Sequence, residues 1–449
     1  MKVTFYTLGC RVNNYETELM KQQFIENGYM VIDFPNIADI YVINSCSVTN
    51  LATRKTRQFL SKAKHINPQA IVVLVGCYAQ EIKDDFENGK VKLPYVDIVI
   101  GNEEKNDIID NISKKLNKKN EQEDLTKIQK NIDKNEIIYN ISDINKIKKY
   151  NQRQILKTES RIRADVKIED GCNNFCSYCI IPYVRGRIRS RNIDDIELEV
   201  RNLVKANIKE IVLVGIEIAS YGQDLKQNIG LIDVLERLDN IEGLKRVRLG
   251  SMYPTYFTDD IILRLAKLKK LCHHFHLSIQ SLDDQVLYRM NRKYKSKLVF
   301  DIVDKLRNNI KDITFSCDII VGFPQESDKE FQNTVNGVKK IGFSHVHVFK
   351  YSKRKYTKAK DMIGQIDGNV ANLRSEKLIE ISKNITTDIL NSYIGTTQQI
   401  LFDTYKSGYL YGYSDNYLKV KVRGDKKLWA TIQDIKLISL EEETLLGTF

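Results

Sequence analysis

The chain has no apolar segment long enough to cross a membrane. Its longest apolar runs, such as Ile211 to Val214 and Ile319 to Val321, fall far short of the roughly 20 residues that a bilayer requires. The N-terminus opens on an alternating stretch, Met1 to Leu8, and lacks the basic region, apolar region and small-residue cleavage site of a secretion signal. We therefore expect a cytoplasmic protein that does not associate with membranes.

Cysteine is limited to 8 of 449 residues, and acidic residues are outnumbered by basic ones, 58 against 70. A chain of this length, 42% hydrophobic, has enough core to fold as two or three domains without disulfides, so metal or redox chemistry is the better interpretation of the cysteines. The net charge of +12 favours a polyanionic partner such as nucleic acid.

The order of apolar and polar segments predicts an α/β protein of three domains. Short apolar strands alternate with helical segments over residues 1–102, which indicates a small domain with a parallel sheet. Residues 103–160 contain neither glycine nor proline and are rich in Lys, Asn, Asp and Glu. Such a composition buries little apolar surface, so we predict a polar, partly helical linker there.

Six repeats of a strand followed by a helix occupy residues 161–385 and predict a full or partial parallel barrel. Residues 386–449 change to short alternating strands separated by Gly and Asp turns. This pattern is typical of a small antiparallel β-barrel.

Three cysteines, Cys172, Cys176 and Cys179, stand on one tight loop, GCNNFCSYC, directly after a predicted strand. Three thiolates can hold three irons of a cubane and leave the fourth iron open for a cofactor. A zinc site is the alternative, but it needs four closed ligands, and neither a His nor a fourth Cys lies near the loop. The spacing, with Phe175 and Tyr178 interleaved, resembles the radical S-adenosylmethionine superfamily.

Three further cysteines, Cys10, Cys46 and Cys77, each follow a predicted parallel strand in FYTLGC, YVINSC and VVLVGC. The carboxyl ends of parallel strands share one edge of a sheet, so the three thiols should converge there. Taken singly, each is more often a buried apolar filler than a ligand. Together they predict a second cluster with its own open iron.

At this point the chain resembles the methylthiotransferase family almost end to end. The motifs that carry the resemblance are TLGCRVNNYETE, NSCSVTN, GCYAQ, GCNNFCSYCIIPYVRGRIRSR, HFHLSIQS, RMNRKY and DIIVGFPQE. The opening motif favours the MtaB branch. Two segments, KYSKRKYT and the pair Leu282-Asp283, depart from the family pattern.

The resemblance implies an N-terminal methylthiotransferase domain, a radical S-adenosylmethionine partial TIM barrel and a C-terminal TRAM β-barrel. It implies two 4Fe-4S clusters and S-adenosylmethionine as cofactors, and an electron donor such as flavodoxin or ferredoxin. The implied substrate is tRNA carrying N6-threonylcarbamoyladenosine next to the anticodon, and the implied product carries methylthio at C2. The sulfur donor stays unknown.

Analogy with the superfamily assigns cofactor contacts at the ends of the barrel strands. We predict that seven residues contact the cofactor: Phe175, Tyr178, Glu217, Ser251, Gln280, Asp318 and Gly322. His274 and His276 are more often packed core than ligands, and Cys272 and Cys317 lack partners at ligand spacing.

Basic and aromatic residues mark two candidate RNA surfaces. A run spaced by two follows the radical loop and would lie on one face of an extended strand. The C-terminal barrel mixes tyrosines with lysines and arginines, which suits bases and phosphates. The predicted RNA-binding residues are Arg185, Arg187, Arg189, Arg191, Tyr411, Lys421 and Arg423. A solvated basic edge and a tyrosine-lined core are the respective alternatives.

Two other functions remain open from the sequence. One is a methylthiotransferase acting on isopentenyladenosine in tRNA or on a ribosomal protein. The other is a non-catalytic RNA-binding or metal-storage protein, which would hold zinc or no iron and would not cleave S-adenosylmethionine.

Overall fold

The first domain is a parallel sheet flanked by helices. In the computed structural model, residues 1–126, 137–151, 153–155 and 162–449 are described. The strands are β1 Lys2–Thr7, β2 Met30–Ile32, β3 Ile40–Ser45, β4 Ile71–Gly76, β5 Ile98–Ile100 and β6 Ile138–Asn140. The helices are α1 Arg11–Glu26, α2 Asn50–Ile66, α3 Cys77–Glu81, α4 Lys83–Glu87 and α5 Ile108–Thr126. All pairs are parallel, in the order β2-β1-β3-β4-β5-β6.

The strands β3 and β4 are buried along their whole length because helices cover both faces of the sheet, which explains their unbroken apolar sequences. The sheet also corrects the interpretation of residues 103–160 as a linker. That segment supplies α5 and β6, and β6 pairs with β5 at the edge of the sheet. Residues 127–136, 152 and 156–160 of the segment lie outside the described residues.

The second domain is the predicted partial barrel. Its strands are β7 Arg163–Lys167, β8 Glu169–Asp170, β9 Arg189–Ser190, β10 Glu210–Val214, β11 Arg246–Leu249, β12 Ser251–Met252, β13 His274–Gln280, β14 Thr314–Val321 and β15 His345–Lys350. Its helices are α6 Ile181–Val184, α7 Ile193–Lys205, α8 Leu231–Asp239, α9 Asp259–Leu265, α10 Asp284–Arg289, α11 Ser296–Asn309, α12 Asp328–Ile341 and α13 Gly368–Ser392.

The barrel strands form two parallel sheets, β7-β10-β11 and β12-β13-β14-β15, that continue into one another through β11 and β12 and a bridge between Val247 and Leu271. All six predicted strand–helix repeats are present. The last helix, α13, crosses the predicted boundary at residue 385 and packs against both the barrel and the C-terminal domain.

The third domain is a closed antiparallel barrel with one parallel pair. Its strands are β16 Thr397–Lys406, β17 Tyr409–Tyr413, β18 Lys419–Arg423, β19 Ile432–Glu441 and β20 Thr444–Thr448, in the order β16-β17-β18-β20-β19. The last strand, β20, closes the barrel by pairing with both β18 and β19.

No helix among the described residues combines the length and the apolar character that a membrane span requires.

Candidate active site between two cysteine triads

Three thiols converge at one edge of the first sheet, as predicted. Cys10, Cys46 and Cys77 follow the neighbouring strands β1, β3 and β4, and we call them the first triad. Gly9 has a φ of +100°, and a Cβ there would stand 2.9 Å from the Cys46 Sγ. Glycine is therefore required beside the triad, both for its backbone conformation and for the close approach of Cys46.

Hydrogen-bond donors surround the sulfurs of the first triad. The Val48 N–H donates to Cys46 Sγ at 3.5 Å, and Arg185 Nε donates to Cys77 Sγ at 3.3 Å. Burial raises the pKa of the Cys46 thiol to about 12, and the pKa of Cys10 also rises although its side chain is open to the space between the domains. Metal binding would displace these thiol protons, and the donors would then stabilise thiolates.

The second triad, Cys172, Cys176 and Cys179, lies on the loop between β8 and α6. The loop turns at Phe175, whose φ is +47°, and the Asn291 side chain donates to the Phe175 carbonyl at 2.9 Å. The Cys179 N–H donates to the Cys176 carbonyl at 3.0 Å. These bonds fix the loop and bring the three thiols into mutual electrostatic contact.

The spacing of the sulfurs argues against a single zinc ion. A tetrahedral zinc with Zn–S bonds of about 2.3 Å would hold its sulfurs within about 4 Å of one another. Among the described residues, neither triad brings three ligand atoms within 4.8 Å. Two open sets of three thiols fit a larger iron–sulfur cluster better than they fit one ion.

A buried arginine that the sequence analysis missed contacts the second triad. Arg292 Nη1 donates to Cys176 Sγ at 3.5 Å, and its guanidinium lies 4.3 Å from the Tyr253 ring centre. Its Nη2 finds no hydrogen-bond partner among the described residues. Arg292 belongs to the RMNRKY motif, so the sequence marks it as a candidate site residue. Its position beside Cys176 could not be predicted, because that position depends on the packing of a loop more than 100 residues away.

Glu217 is the predicted cofactor residue whose surroundings best suit a cation. Burial raises its pKa to about 7, and its Oε1 finds no hydrogen-bond partner among the described residues. The backbone around it is held by Glu169, which accepts from the Glu217 N–H at 2.5 Å. A buried carboxylate with one unpartnered oxygen, close to Cys172 of the second triad, fits the amino group of S-adenosylmethionine.

Two cavities open onto the triads. The larger, about 340 Å³, is lined by Cys10 and Arg11 of the first domain, by Ser251 and Asp318 of the barrel, and by Tyr417 of the C-terminal domain. The smaller, about 200 Å³, is lined by residues of the first two domains: Val48, Thr49, Tyr178, Cys179, Ile180, Ile181, Gln280, Asp318, Ile320, Phe349, Lys350, Tyr351 and Ser352. Asp318 and Phe349 line both cavities, so the two cavities are neighbours.

Two predicted cofactor residues, Gly322 and Phe175, make close contacts within the protein. Gly322 has a φ of +71°, donates to Glu326 at 2.7 Å, and packs so closely on Ala371 that a Cβ would stand 2.8 Å away. Phe175 lies under the Arg187 guanidinium, 4.3 Å from its ring centre. Gly322 therefore serves the packing of α13, and it lines neither cavity.

The basic run after the second triad does not form one exposed face. Arg185 and Arg191 are fully buried, and Arg189 is nearly so. Arg185 contacts Glu16 and Asp170, Arg189 contacts Asp170, and Arg191 contacts Glu199. The prediction that these three bind RNA is wrong for this conformation, because the chain turns at α6 and directs their charges into the protein. Arg187 alone is exposed.

The C-terminal candidates lie on neighbouring strands. Lys421 pairs with Tyr411 across β17 and β18, and its ammonium contacts Glu441 at 2.6 Å. Arg423 lies at the end of β18 and is exposed. This surface is partly charge-neutralised, and Arg423 is one of its exposed cations.

The segments that depart from the family pattern are accommodated in the fold. Leu282 packs against Gly337 of α12, and Asp283 caps α10 by accepting from the Gln285 and Val286 N–H groups. In KYSKRKYT, Arg354 donates to Glu81 at 2.7 Å and so joins the barrel to the first domain.

A parallel barrel with a three-thiol loop, packed against a sheet that carries three more thiols at one edge, indicates an iron–sulfur enzyme of the radical S-adenosylmethionine class. Family models agree: residues 166–337 match the Radical SAM superfamily, and residues 2–101 match the Uncharacterized protein family UPF0004.

Full-length relatives identify the family. The chain is 36% identical over 97% of its length to threonylcarbamoyladenosine tRNA methylthiotransferase MtaB of Bacillus subtilis, 93% of which is covered. It is 34% identical over 98% of its length to tRNA-2-methylthio-N(6)-dimethylallyladenosine synthase of Clostridium botulinum, 95% of which is covered. The radical S-adenosylmethionine methyltransferase TsrM of Kitasatospora setae shares the fold alone, with a TM-score of 0.55 at 11% identity, covering 90% of this chain and 79% of TsrM.

The chain belongs to the radical S-adenosylmethionine methylthiotransferase family. It is an enzyme whose cofactors are S-adenosylmethionine and two 4Fe-4S clusters, as the family models and relatives together establish.

Proposed function

We propose that this enzyme converts N6-threonylcarbamoyladenosine next to the anticodon of tRNA to its 2-methylthio derivative, in the cytoplasm. The observation that carries the proposal is that one cysteine of each triad, Cys10 and Cys179, lines one of two neighbouring cavities between the domains. The relatives named MtaB and the net charge of +12 support a tRNA substrate. Flavodoxin or ferredoxin is the proposed electron donor.

Each triad would hold one cluster: Cys10, Cys46 and Cys77 the first, and Cys172, Cys176 and Cys179 the second. When bound, S-adenosylmethionine would supply the methyl group for a sulfur from a separate donor, and also a 5′-deoxyadenosyl radical that takes the C2 hydrogen of adenine and leaves as 5′-deoxyadenosine. The protein's part is to hold these groups on opposite sides of one base and to keep water away.

Four residues at strand ends would hold S-adenosylmethionine beside the second triad: Glu217, Ser251, Gln280 and Asp318. The unpartnered Oε1 of Glu217 would accept from the amino group of S-adenosylmethionine. Gln280 has a φ of +70°, a strained backbone that directs it toward the smaller cavity beside Cys179 and Tyr178.

Arginines next to the sulfurs would balance the negative charge of thiolate-bound clusters. Arg292 contacts Cys176, and Arg185 contacts Cys77, so each triad has one buried guanidinium within hydrogen-bonding reach. Charge-assisted donors to ligand sulfur are an ordinary means of tuning an iron–sulfur centre.

The test is to purify the enzyme without oxygen, reconstitute it, and assay it on threonylcarbamoyl-modified tRNA. Wild type should hold about eight irons and form both 5′-deoxyadenosine and the methylthio nucleoside. Cys176→Ala should lose 5′-deoxyadenosine, and Cys46→Ala should lose the methylthio product while keeping about half of the iron. Cys272→Ala, a buried cysteine outside both triads, is the matched control. Zinc in the wild type, or full methylthio transfer by Cys46→Ala, would refute the proposal.

A second candidate substrate is N6-dimethylallyladenosine in tRNA. The 34% identity to the Clostridium botulinum synthase over 98% of the chain favours it almost as much as the MtaB relatives favour the first. Nucleoside analysis of tRNA from a deletion strain separates the two, because only the true product disappears.

A further inference from the structure

One wall of the larger cavity is polar, although the strands that form it belong to the barrel core. We call it the polar wall; its members are His274, His276, Ser316, Asp318 and His347. They occupy alternate positions on β13, β14 and β15, and the register pairs His276 with Ser316 and Asp318 with His347. Alternate positions on neighbouring parallel strands point to one side, which is here the cavity.

Hydrogen bonds fix the histidine rings of the polar wall. His276 Nε2 lies 3.2 Å from Asp318 Oδ2, and Ser316 Oγ lies 2.8 Å from His276 Nδ1 and 2.9 Å from His274 Nε2. If the His276 Nε2–H donates to Asp318, the Nδ1 of the same neutral ring is an acceptor, so the Ser316 hydroxyl donates to it. The Ser316 oxygen then accepts from the His274 Nε2–H. His274 is then left with a buried, unprotonated Nδ1, which finds no partner among the described residues.

Two residues that line the larger cavity, His347 and Arg11, can donate hydrogen bonds to a ligand. His347 is exposed to the cavity, with its ring centre 5.5 Å from that of His276. Arg11, the residue after Cys10, has 43% of its side chain exposed and contacts Asp165 at 3.1 Å. Arg248 also lines the cavity, but its guanidinium is committed to Glu210 and to two carbonyls of the C-terminal domain. Arg11 is therefore the cation able to turn toward a ligand.

We infer that the polar wall and Arg11 read a carboxylate-bearing polar substituent on N6 of the substrate adenosine. The inference rests on the proposed function, which sets C2 of the base beside Cys10. C2 and N6 flank N1 on the same edge of adenine, so an N6 substituent enters the cavity that Cys10 lines.

The chemistry of the substituent matches the groups that the wall presents. Arg11 and a His347 N–H would donate to the carboxylate of such a substituent. A dimethylallyl group would instead desolvate these groups without satisfying them. A site built to hydrogen-bond its ligand rejects an apolar analogue more strongly than an apolar pocket rejects a polar one.

The experiment measures the binding of anticodon stem–loop RNA to the anaerobically reconstituted enzyme. Three RNAs differ only at the modified adenosine: threonylcarbamoyl, dimethylallyl or unmodified. We expect wild type to bind the threonylcarbamoyl RNA at least 10-fold more tightly than the other two. His347→Phe should weaken that binding roughly 10-fold to 100-fold and leave the other two RNAs unchanged, and His347→Gln should restore part of the preference. His65→Phe, an exposed histidine on α2, is the control.

Two results of the binding and activity measurements would overturn the inference. An unaltered preference in His347→Phe would mean that the wall does not read N6. If the wild type methylthiolates threonylcarbamoyl-modified tRNA but does not bind the threonylcarbamoyl RNA more tightly than the other two, the inference is refuted and the proposed function is left intact. A retained binding preference with no methylthio product on any RNA would support the inference and refute the proposed function instead.

A further result that would overturn the inference concerns a metal ion, since His276, Asp318 and His347 bring ligand atoms within 4.8 Å of one another. A stoichiometric metal beyond the iron of the clusters, lost in His347→Phe but kept in His65→Phe, would assign the wall to a metal rather than to reading N6.

Discussion

The guanidinium of Arg185 donates to the sulfur of Cys77 across 3.3 Å, although the two residues belong to different domains. Arg185 also contacts Glu16 of the first domain at 2.8 Å and Asp170 of the barrel at 3.1 Å, and it is fully buried. Because Arg185 follows the loop of the second triad, one side chain connects the two cysteine triads mechanically and electrostatically.

Arg185→Met should destabilise the protein strongly. The substitution preserves much of the side-chain volume but leaves Glu16 and Asp170 as buried carboxylates with fewer partners, which costs about 3–5 kcal/mol. Urea unfolding of the apoprotein measures the loss as a lower midpoint. Arg187→Gln, two residues away and exposed, should stay within about 0.5 kcal/mol of wild type. Equal midpoints for the two variants would contradict the role assigned to Arg185.

Glu217 should make the apoprotein less stable as the pH rises. Burial raises its folded pKa to about 7 from an ordinary value near 4.5, so the folded state binds the proton more tightly than the unfolded state. The contribution of Glu217 to stability is therefore greatest at low pH and falls between about pH 4.5 and pH 7, by about 3 kcal/mol.

Glu217→Gln should remove that dependence and make the apoprotein more stable than wild type at pH 8, with little difference at pH 5. Urea midpoints at the two pH values measure the effect, with Glu376→Gln, an exposed residue of α13, as the reference variant. A pH dependence that survives in Glu217→Gln would assign it to another group.

Asn416→Ala should loosen the docking of the C-terminal barrel. The buried Asn416 amide donates to the Asp312 carbonyl at 3.2 Å and to the Tyr393 hydroxyl at 3.1 Å. Removing it leaves these acceptors unsatisfied and should cost about 1–3 kcal/mol, seen as a lower midpoint of thermal unfolding. Asn309→Ala, an exposed residue bonded only within its own helix, should have a small effect. A similar shift in both variants would mean that Asn416 does not hold the interface.

Arg187 and Arg423 should contribute to tRNA binding through phosphates, since both are exposed cations. Replacing either by Gln should weaken binding and lower the slope of log K against log salt by about 0.7–0.9 for each phosphate that is no longer neutralised. Arg201→Gln, whose guanidinium pairs with Glu197 on α7, should leave the slope unchanged. An unchanged slope in both test variants would remove these residues from the RNA surface.

The sequence by itself determined the family and the fold class, and it predicted the six cysteines of the two triads as cluster ligands. Strand-end positions and the tight Cys-x3-Cys-x2-Cys spacing are local features, so they can be recognised without knowledge of the packing. The end of the first domain was harder to predict from the sequence, because the last strand, β6, has only three residues and follows a polar segment.

Only the tertiary structure decided what the charged residues do. The spacing of Arg185 and Arg191 suits an exposed basic strand, yet both are buried, since carboxylates from other segments lie at the positions where the chain turns. Likewise His276 looks like core in sequence but lines a cavity, because the open side of the barrel faces another domain. Burial of a charge depends on partners far away in the chain, and no local pattern records where those partners lie.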